Sequence, residues 1–255
     1  MAANSWDPAQ YERFRQERSQ PFYDLLALVR PRPGMRVVDL GCGTGDLTRV
    51  LHDKLEARET LGLDSSAAML ARAAPLAGHG LRFEPGDIQS FPVRRCFDLA
   101  FSNSALHWIP DHATLFARLI AALDAGGQLA VQMPAIYRHA SHLAVGEVAD
   151  EFAAPLGGYK HREYVLPPAA YQELLERWGS REAHVEERIY EHRLASREEV
   201  VEWVKGSLLT GYRERLPEET YQRFLARYRE RLLPQLEDTR PYVYAYRRIL
   251  LRARF

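Results

Sequence analysis

The segment VVDLGCGTGDLTRVL, residues 37–51, sets the tightest limit on what this chain can fold into. A short β-branched run ends in Gly41, Gly43 and Gly45, then passes directly into a stretch with Leu47, Val50, Leu51 and Leu55 at helical spacing. Strand, bare turn and helix follow in immediate succession. Glycines in such a turn predict backbone N–H groups left open beside a helix N-terminus, where a ligand can approach the main chain closely. The same alternation continues downstream. ETLGLD (59–64), LRFEPGD (81–87), FDLAFSN (97–103) and GGQLAVQMP (126–134) read as strands. Between them lie SAAMLARA, capped by Ser65 or Ser66, and DHATLFARLIAAL, with Leu115, Leu119, Ile120 and Leu123 on one face. Such connections need right-handed parallel crossovers, so residues 36–134 predict a doubly wound α/β sheet.

Beyond residue 134 the pattern changes. One helix places Tyr171, Leu174, Leu175 and Trp178 on a single face, and HVEERIYEHRL (184–194) reads as a strand. SREEVVEW opens with a capping-box pattern, Ser196 to Glu199. Tyr221, Phe224, Leu225, Tyr228 and Leu232 form a helical stripe, and YVYAYRRILLRARF alternates with the period of an edge strand. The expected organisation is a helical lid over 1–30, an α/β core over 31–195, a helical cap insert over 196–240 and a last core strand over 241–255.

Composition narrows the partners. With 34 basic and 34 acidic residues the net charge is zero, which gives no electrostatic footprint for nucleic acid or an anionic membrane. Two cysteines, Cys42 and Cys96, make no disulfide framework, and Cys42 suits a small filler in the turn. No apolar run has signal-peptide or membrane-spanning length. The expectation is a cytoplasmic protein, monomeric or a weak homodimer, acting on a small molecule without a metal.

The glycine turn has the context of a nucleoside site. Asp64 ends the second strand nineteen residues beyond Gly45, where a carboxylate can take both hydroxyls of a ribose. A dinucleotide fingerprint requires a third glycine where this chain has Asp46, and that carboxylate would repel a pyrophosphate. Asp39 adds a second negative charge. Together they suit a ligand with a cationic end and no phosphate, as in S-adenosylmethionine.

These residues also carry a resemblance. VVDLGCGTG resembles the first motif of class I S-adenosylmethionine-dependent methyltransferases, and LGLD, GDI and FDLAFSN stand where that superfamily keeps its later cofactor contacts. WDPAQYERFRQERSQP, SALHWIPDH, LAVQMP and VVEWVKG are similar, in the same order from residue 6 to about 206, to segments of the trans-aconitate 2-methyltransferases. The resemblance implies a Rossmann-like, doubly wound, seven-stranded sheet with an N-terminal lid and a cap before the last strand. It implies that Asp64 holds the ribose, that Asp87 accepts from the adenine amino group, and that Ile88 packs beside the ring. Gly41, Gly43 and the main chain near Asn103 would line the methionine portion. Tyr11 and Arg18, seven residues apart with Phe14 between, would share a face of the lid helix, with Arg18 on the cofactor's carboxylate.

For the acceptor the resemblance implies a small organic acid such as trans-aconitate, leaving as a methyl ester. His107 and Trp108 stand at the mouth toward which the methyl group points, Trp108 fitting either packing or a pocket wall. Gln132 and Tyr137 lie at and just beyond the fifth strand's carboxyl end. Trp203 and Tyr212 can wall the cap side, although Trp203 fits a core equally well. Lys205 and Arg213, with Arg138, Lys160, His161 and Arg162, are cations able to hold spare carboxylates. After Lys205 the chain departs from the family pattern, with Thr210 where an arginine is expected and Arg213 its nearest replacement. Other readings stay open: a methyltransferase for a hydroxyl or carbon acceptor with His107 as base, a nicotinamide-dependent oxidoreductase disfavoured by Asp46, and a non-catalytic cofactor-binding protein.

Overall fold

The computed structural model describes residues 15–91 and 96–255, without the side chains of residues 15–18. Tyr11 and Phe14 of the expected lid therefore lie outside the described residues. Arg18 is placed only as backbone, in helix α1 (Arg15–Leu28).

Seven strands form one sheet: β1 (Arg36–Leu40), β2 (Glu59–Asp64), β3 (Leu81–Pro85), β4 (Phe97–Asn103), β5 (Leu123–Pro134), β6 (Glu182–Leu194) and β7 (Tyr242–Arg254). Their order is β3-β2-β1-β4-β5-β7-β6, with parallel pairing through β5 and β7 antiparallel to β5. This is the doubly wound, seven-stranded sheet that the resemblance implies. Strand order reverses between β1 and β4, and the carboxyl ends at such a switch point are where ligands bind in open α/β sheets. The helices are α2 (Asp46–Lys54), α3 (Ala67–Ala73), α4 (His112–Ala121), α5 (Ala140–Glu151), α6 (Pro168–Arg177), α7 (Glu198–Lys205), α8 (Thr210–Arg213) and α9 (Glu218–Leu232).

The chain divides into two compact units. One comprises Ser19–Ala135, Tyr164–Arg188 and Arg248–Phe255, and the other includes Ile136–Glu163 and Ile189–Arg247. In the sheet unit Val37, Val38 and Leu40 of β1 are buried, as are Leu99 and Phe101 of β4 and Leu129 and Val131 of β5. Continuous apolar runs of this kind belong to parallel strands covered on both faces. Ser66 rather than Ser65 caps α3, accepting the Met69 N–H at 3.4 Å. The helical unit has its own core, built on Val200, Trp203, Val204, Tyr212, Phe224, Tyr228 and Tyr244. It gathers α5 together with α7, α8 and α9, so it is wider than the stretch 196–240.

Three local expectations are corrected. Strand β7 is not an edge strand, because it lies between β5 and β6, and β6 takes the edge. Its two-residue alternation of burial covers only Tyr242–Arg247; from Arg248 to Ala253 every residue is buried. The capping box at Ser196 does not close. Helix α7 begins at Glu198, and the Glu199 carboxylate accepts the Ala195 N–H at 2.8 Å instead. Trp178 leaves the buried face of Tyr171, Leu174 and Leu175: it is the C-cap of α6 and is 46% exposed.

Candidate active site

The glycine turn follows β1, and its glycines sit at positive φ for different reasons. At Gly41 (φ 79°) a Cβ would overlap the Cβ of Ala105, so the turn packs directly on the loop after β4. At Gly43 (φ 56°) a Cβ would meet nothing within 4 Å, so the turn there faces open space. The expectation of open N–H donors is corrected. Gly41 and Cys42 both donate to the Leu63 carbonyl (2.8 and 3.0 Å), Gly43 donates to Asp64 Oδ2 (2.9 Å), and Gly45 donates to the Cys42 carbonyl (3.1 Å). These four donors are therefore not open to a phosphate. Such a turn suits a cation better than a phosphate.

Carboxylates reinforce that preference. Asp64 closes β2 and accepts the Gly43 N–H on one oxygen and the Ser66 N–H on the other (2.8 Å). Each carboxylate oxygen keeps a second acceptor site, enough for a vicinal diol. Asp39 is only 4% exposed beneath the turn, where its Oδ2 accepts the Thr48 hydroxyl at 2.6 Å. Burial, aided by the nearby Asp64 charge and opposed by the Thr48 hydrogen bond, pushes its pKa up to about 7. It can act on a ligand through its field, from under the main chain. Burial likewise pushes the Cys42 thiol up, away from any thiolate chemistry. Asp87 caps a short 3₁₀ turn by accepting the Gln89 N–H at 2.8 Å, and the next residue, Ile88, is buried with its Cδ1 facing the Gly41 position. Gly41, Gly43, Asp64, Asp87 and Ile88 thus gather at the carboxyl ends of β1–β3.

At the end of β4 a polar cluster appears that sequence reasoning missed. Ser104 follows Asn103 with φ 58°, a left-handed conformation that costs a non-glycine residue about 1–3 kcal/mol. Its N–H donates to the Gln132 carbonyl (2.9 Å), and Arg248 Nη1 donates to its hydroxyl (3.1 Å). The Gln132 amide is satisfied with its oxygen toward Arg248 Nη1 (2.9 Å) and its nitrogen toward Asn103 Oδ1 and Ser104 Oγ (both 2.8 Å). The opposite orientation would set oxygen against acceptors alone. Gln132 is therefore fully buried and committed to protein partners, which corrects its assignment to the substrate. It fixes Asn103 and the strained turn. A charged residue directly before the apolar run ILL was the available signal for Arg248.

His107 and Trp108 occupy a 3₁₀ turn, Leu106–Trp108, their rings 4.6 Å apart. Trp108 is 49% exposed, so it is not core packing and offers an aromatic wall. The turn is held from behind by buried His112, whose Nε2 lies 3.0 Å from the Leu106 carbonyl while Nδ1 meets the Tyr171 hydroxyl. That hydroxyl in turn accepts the Leu166 N–H at 3.1 Å. The Leu106 contact requires the proton on Nε2, so Tyr171 donates to Nδ1.

The remaining candidates fall in the helical unit. Tyr137 is half-buried, with the exposed Arg138 guanidinium 5.7 Å from its ring centre. Trp203 and Tyr212 are corrected to core residues: Trp203 stacks on His192 and meets Tyr244 edge-on, and Tyr212 stacks on Phe224. Neither leaves surface for a ligand. Lys205 is held by Glu202 (2.7 and 2.9 Å), and exposed Arg213 lies over the Tyr221 ring. Among the described residues no group of His, Cys, Asp and Glu is arranged to hold a metal, and no helix is long and apolar enough to cross a membrane.

Comparison with known proteins supplies the family. A methyltransferase-domain profile matches residues 37–127. The trans-aconitate 2-methyltransferase of Deinococcus radiodurans is 44% identical over 252 residues, spanning 96% of each chain. That of Rhizobium meliloti is 40% identical over 233 residues, spanning 89% of each. Among solved structures, an S-adenosylmethionine dependent methyltransferase from Mesorhizobium loti superposes with a TM-score of 0.53 at 23% identity, covering 93% of this chain and 98% of that one. The sheet order, the acidic and glycine-lined turn and these full-length likenesses agree: the chain belongs to the trans-aconitate 2-methyltransferase family and is an S-adenosylmethionine-dependent methyltransferase.

Proposed function

We propose that the protein methylates a carboxylate of a small organic acid of the trans-aconitate type, releasing a methyl ester. The observation that carries this reading is the 44% identity, over 96% of both chains, to a trans-aconitate 2-methyltransferase. The residues fit the cofactor. Asp64 takes the ribose hydroxyls, Asp87 and Ile88 receive the adenine, and the bare turn at Gly43, with Asp39 beneath it, receives the cationic methionine portion near Asn103. When bound, S-adenosylmethionine supplies a methyl group already activated on a sulfonium.

A carboxylate acceptor is ionised at neutral pH and has no proton to lose. The protein then contributes alignment and exclusion of water rather than a base. In this reading Trp108 shapes the acceptor side and His107 orients the acid. Gln132 and Arg248 act one layer behind, holding Asn103 and Ser104 in place.

The test is a screen of organic acids with labelled cofactor and mass spectrometry of the products, followed by pH–rate profiles of wild type and His107→Ala. A methyl ester should form, and His107→Ala should lose at most about a hundredfold, with no limb near pH 6.5 in either profile. A wild-type limb that disappears in the variant, with a loss of about a thousandfold or more, would make His107 a base. The acceptor would then be a hydroxyl or an acidic carbon.

A further inference from the structure

Asp39 is a buried carboxylate to which the sheet unit gives no counter-ion. It lies near the end of β1, in register with Gly62 of β2 and Phe101 of β4, and is 4% exposed. One oxygen accepts the Thr48 hydroxyl from α2 at 2.6 Å. Among the described residues no lysine, arginine or histidine pairs with it. The titratable groups that face it are Asp64, from β2, and Cys42, from the turn; β4 sets only the Phe101 ring beside it. Asp64 is itself held by two main-chain N–H groups and by no cation.

A charge so enclosed is retained when something pairs with it. The place for the missing cation is the turn above. The Cys42 thiol is held up first by burial and then by the charges of Asp39 and Asp64, so both fields reach the residue between Gly41 and Gly43. At Gly43 that turn faces open space. Burial, opposed by the Thr48 hydrogen bond and joined by the Asp64 charge, sets the Asp39 pKa at about 7. Near neutral pH the carboxyl is therefore divided between its two forms, and a cation on the turn tips it to the carboxylate.

We propose that Asp39 is the counter-ion that distinguishes the sulfonium cofactor from its neutral thioether product, losing a proton as the first binds and regaining one once the positive charge is gone. The inference rests on the cofactor placement proposed above. In the transfer an acceptor oxygen forms a bond to the methyl carbon while the carbon–sulfur bond breaks, its electron pair staying on sulfur. One positive and one negative charge vanish together and no proton is exchanged. Asp39 then takes a proton from water, and returns it to water when the next sulfonium binds. Removing the charge on Asp39 removes the preference, so the site lets go of product without waiting for a competitor.

The experiment is calorimetry of S-adenosylmethionine and S-adenosylhomocysteine binding to wild type and Asp39→Asn, which keeps an acceptor for Thr48. Titrations at pH 6.5 in two buffers of different ionisation enthalpy count protons; there the α-amino groups of both ligands stay protonated. Wild type should release about half a proton or more beyond the product's count when it binds S-adenosylmethionine, and the variant should release no such excess. By reciprocity, the preference for S-adenosylmethionine over product should grow as pH rises through 7. Divided by the variant's preference, which cancels titration of the ligands, it should grow about threefold or more from pH 6 to pH 8. Equal proton counts for the two ligands, or preferences that run parallel in the two proteins, would overturn the role of Asp39 while leaving the cofactor on the turn. If Asp39→Asn fails to fold, the wild-type proton counts decide alone. If neither Asp39→Asn nor Gly43→Ala alters either affinity, the cofactor placement falls, and the inference with it.

Discussion

The glycine turn allows fold and ligand binding to be separated with single methyl groups. Gly43→Ala places a Cβ at φ 56°, a left-handed conformation costing about 1–2 kcal/mol, but meets no neighbour within 4 Å. The N–H to Asp64 is retained. The melting temperature should fall by about 2–8 °C, since each kcal/mol shifts a domain of this size by about 2–4 °C. The new methyl projects into the open space where a ligand would rest on the main chain, so cofactor affinity should fall about tenfold or more, equivalent to at least about 1.4 kcal/mol. Gly41→Ala carries the same strain at φ 79° and also drives its Cβ into that of Ala105. Ala105 has no flexible side chain to swing away, so overpacking adds about 1–3 kcal/mol, for a total of about 2–5 kcal/mol. One variant loses ligand more than fold, and the other loses fold first. Melts without ligand and calorimetric titration with S-adenosylhomocysteine measure the two effects. A Gly43→Ala protein that binds with wild-type affinity would refute the assignment of that open space to the cofactor.

Asp64→Ala should weaken cofactor binding about ten- to a hundredfold in calorimetry and, by orphaning the Gly43 and Ser66 N–H groups, lower stability by about 1–3 kcal/mol in denaturant titration. Tyr171→Phe removes the donor to His112 and the acceptor for the Leu166 N–H. It should cost about 1–3 kcal/mol on melting and lower kcat through the Leu106–Trp108 turn, with cofactor affinity unchanged. Acid sensitivity follows from His142: with its pKa lowered from 6.5 to about 4, the unfolded chain binds more protons than the folded one across that range. Its contribution is complete above pH 6.5 and is lost as pH falls toward 4, about 3 kcal/mol at about 1.4 kcal/mol per unit. Asp39, raised from 3.8 to about 7, acts in the opposite sense over much of the same interval, so the wild-type curve is flattened. His142→Gln, melted at several pH values against wild type, should therefore gain relative stability as pH falls from 6.5 to 4. Parallel curves would refute the His142 contribution.

What the sequence disclosed was local. The run VVDL, the glycines and the stripe from Leu47 to Leu55 each declare their conformation within a few residues, so the strand, turn and helix are legible there. The engagement of the turn's N–H groups is not, because the Leu63 carbonyl and Asp64 arrive from the neighbouring strand. Strand β7 was misplaced because its first half alternates like an edge while its second half is buried throughout. Arg248 stands where the alternation gives way to continuous burial, so its own burial is not legible from the period. Trp203 and Tyr212 carry no local mark that separates a pocket wall from a core, and only the rings packed on them decide it. The Glu163 contact with His142 joins residues twenty-one apart through no helical or strand period.

Asp64 has a consequence for how the protein can change. Its carboxylate ties the bare turn to the start of α3 through two main-chain hydrogen bonds, so its rotamer is fixed before any ligand arrives. In the cofactor role proposed for it, ordering that side chain is part of folding and adds no entropic cost to binding, which favours affinity. The same tie restricts drift. A mutation that re-aims this carboxylate toward a different ligand also unfastens the turn on which that ligand would rest, so new specificities are easier to reach through the acceptor side than through this end of the molecule.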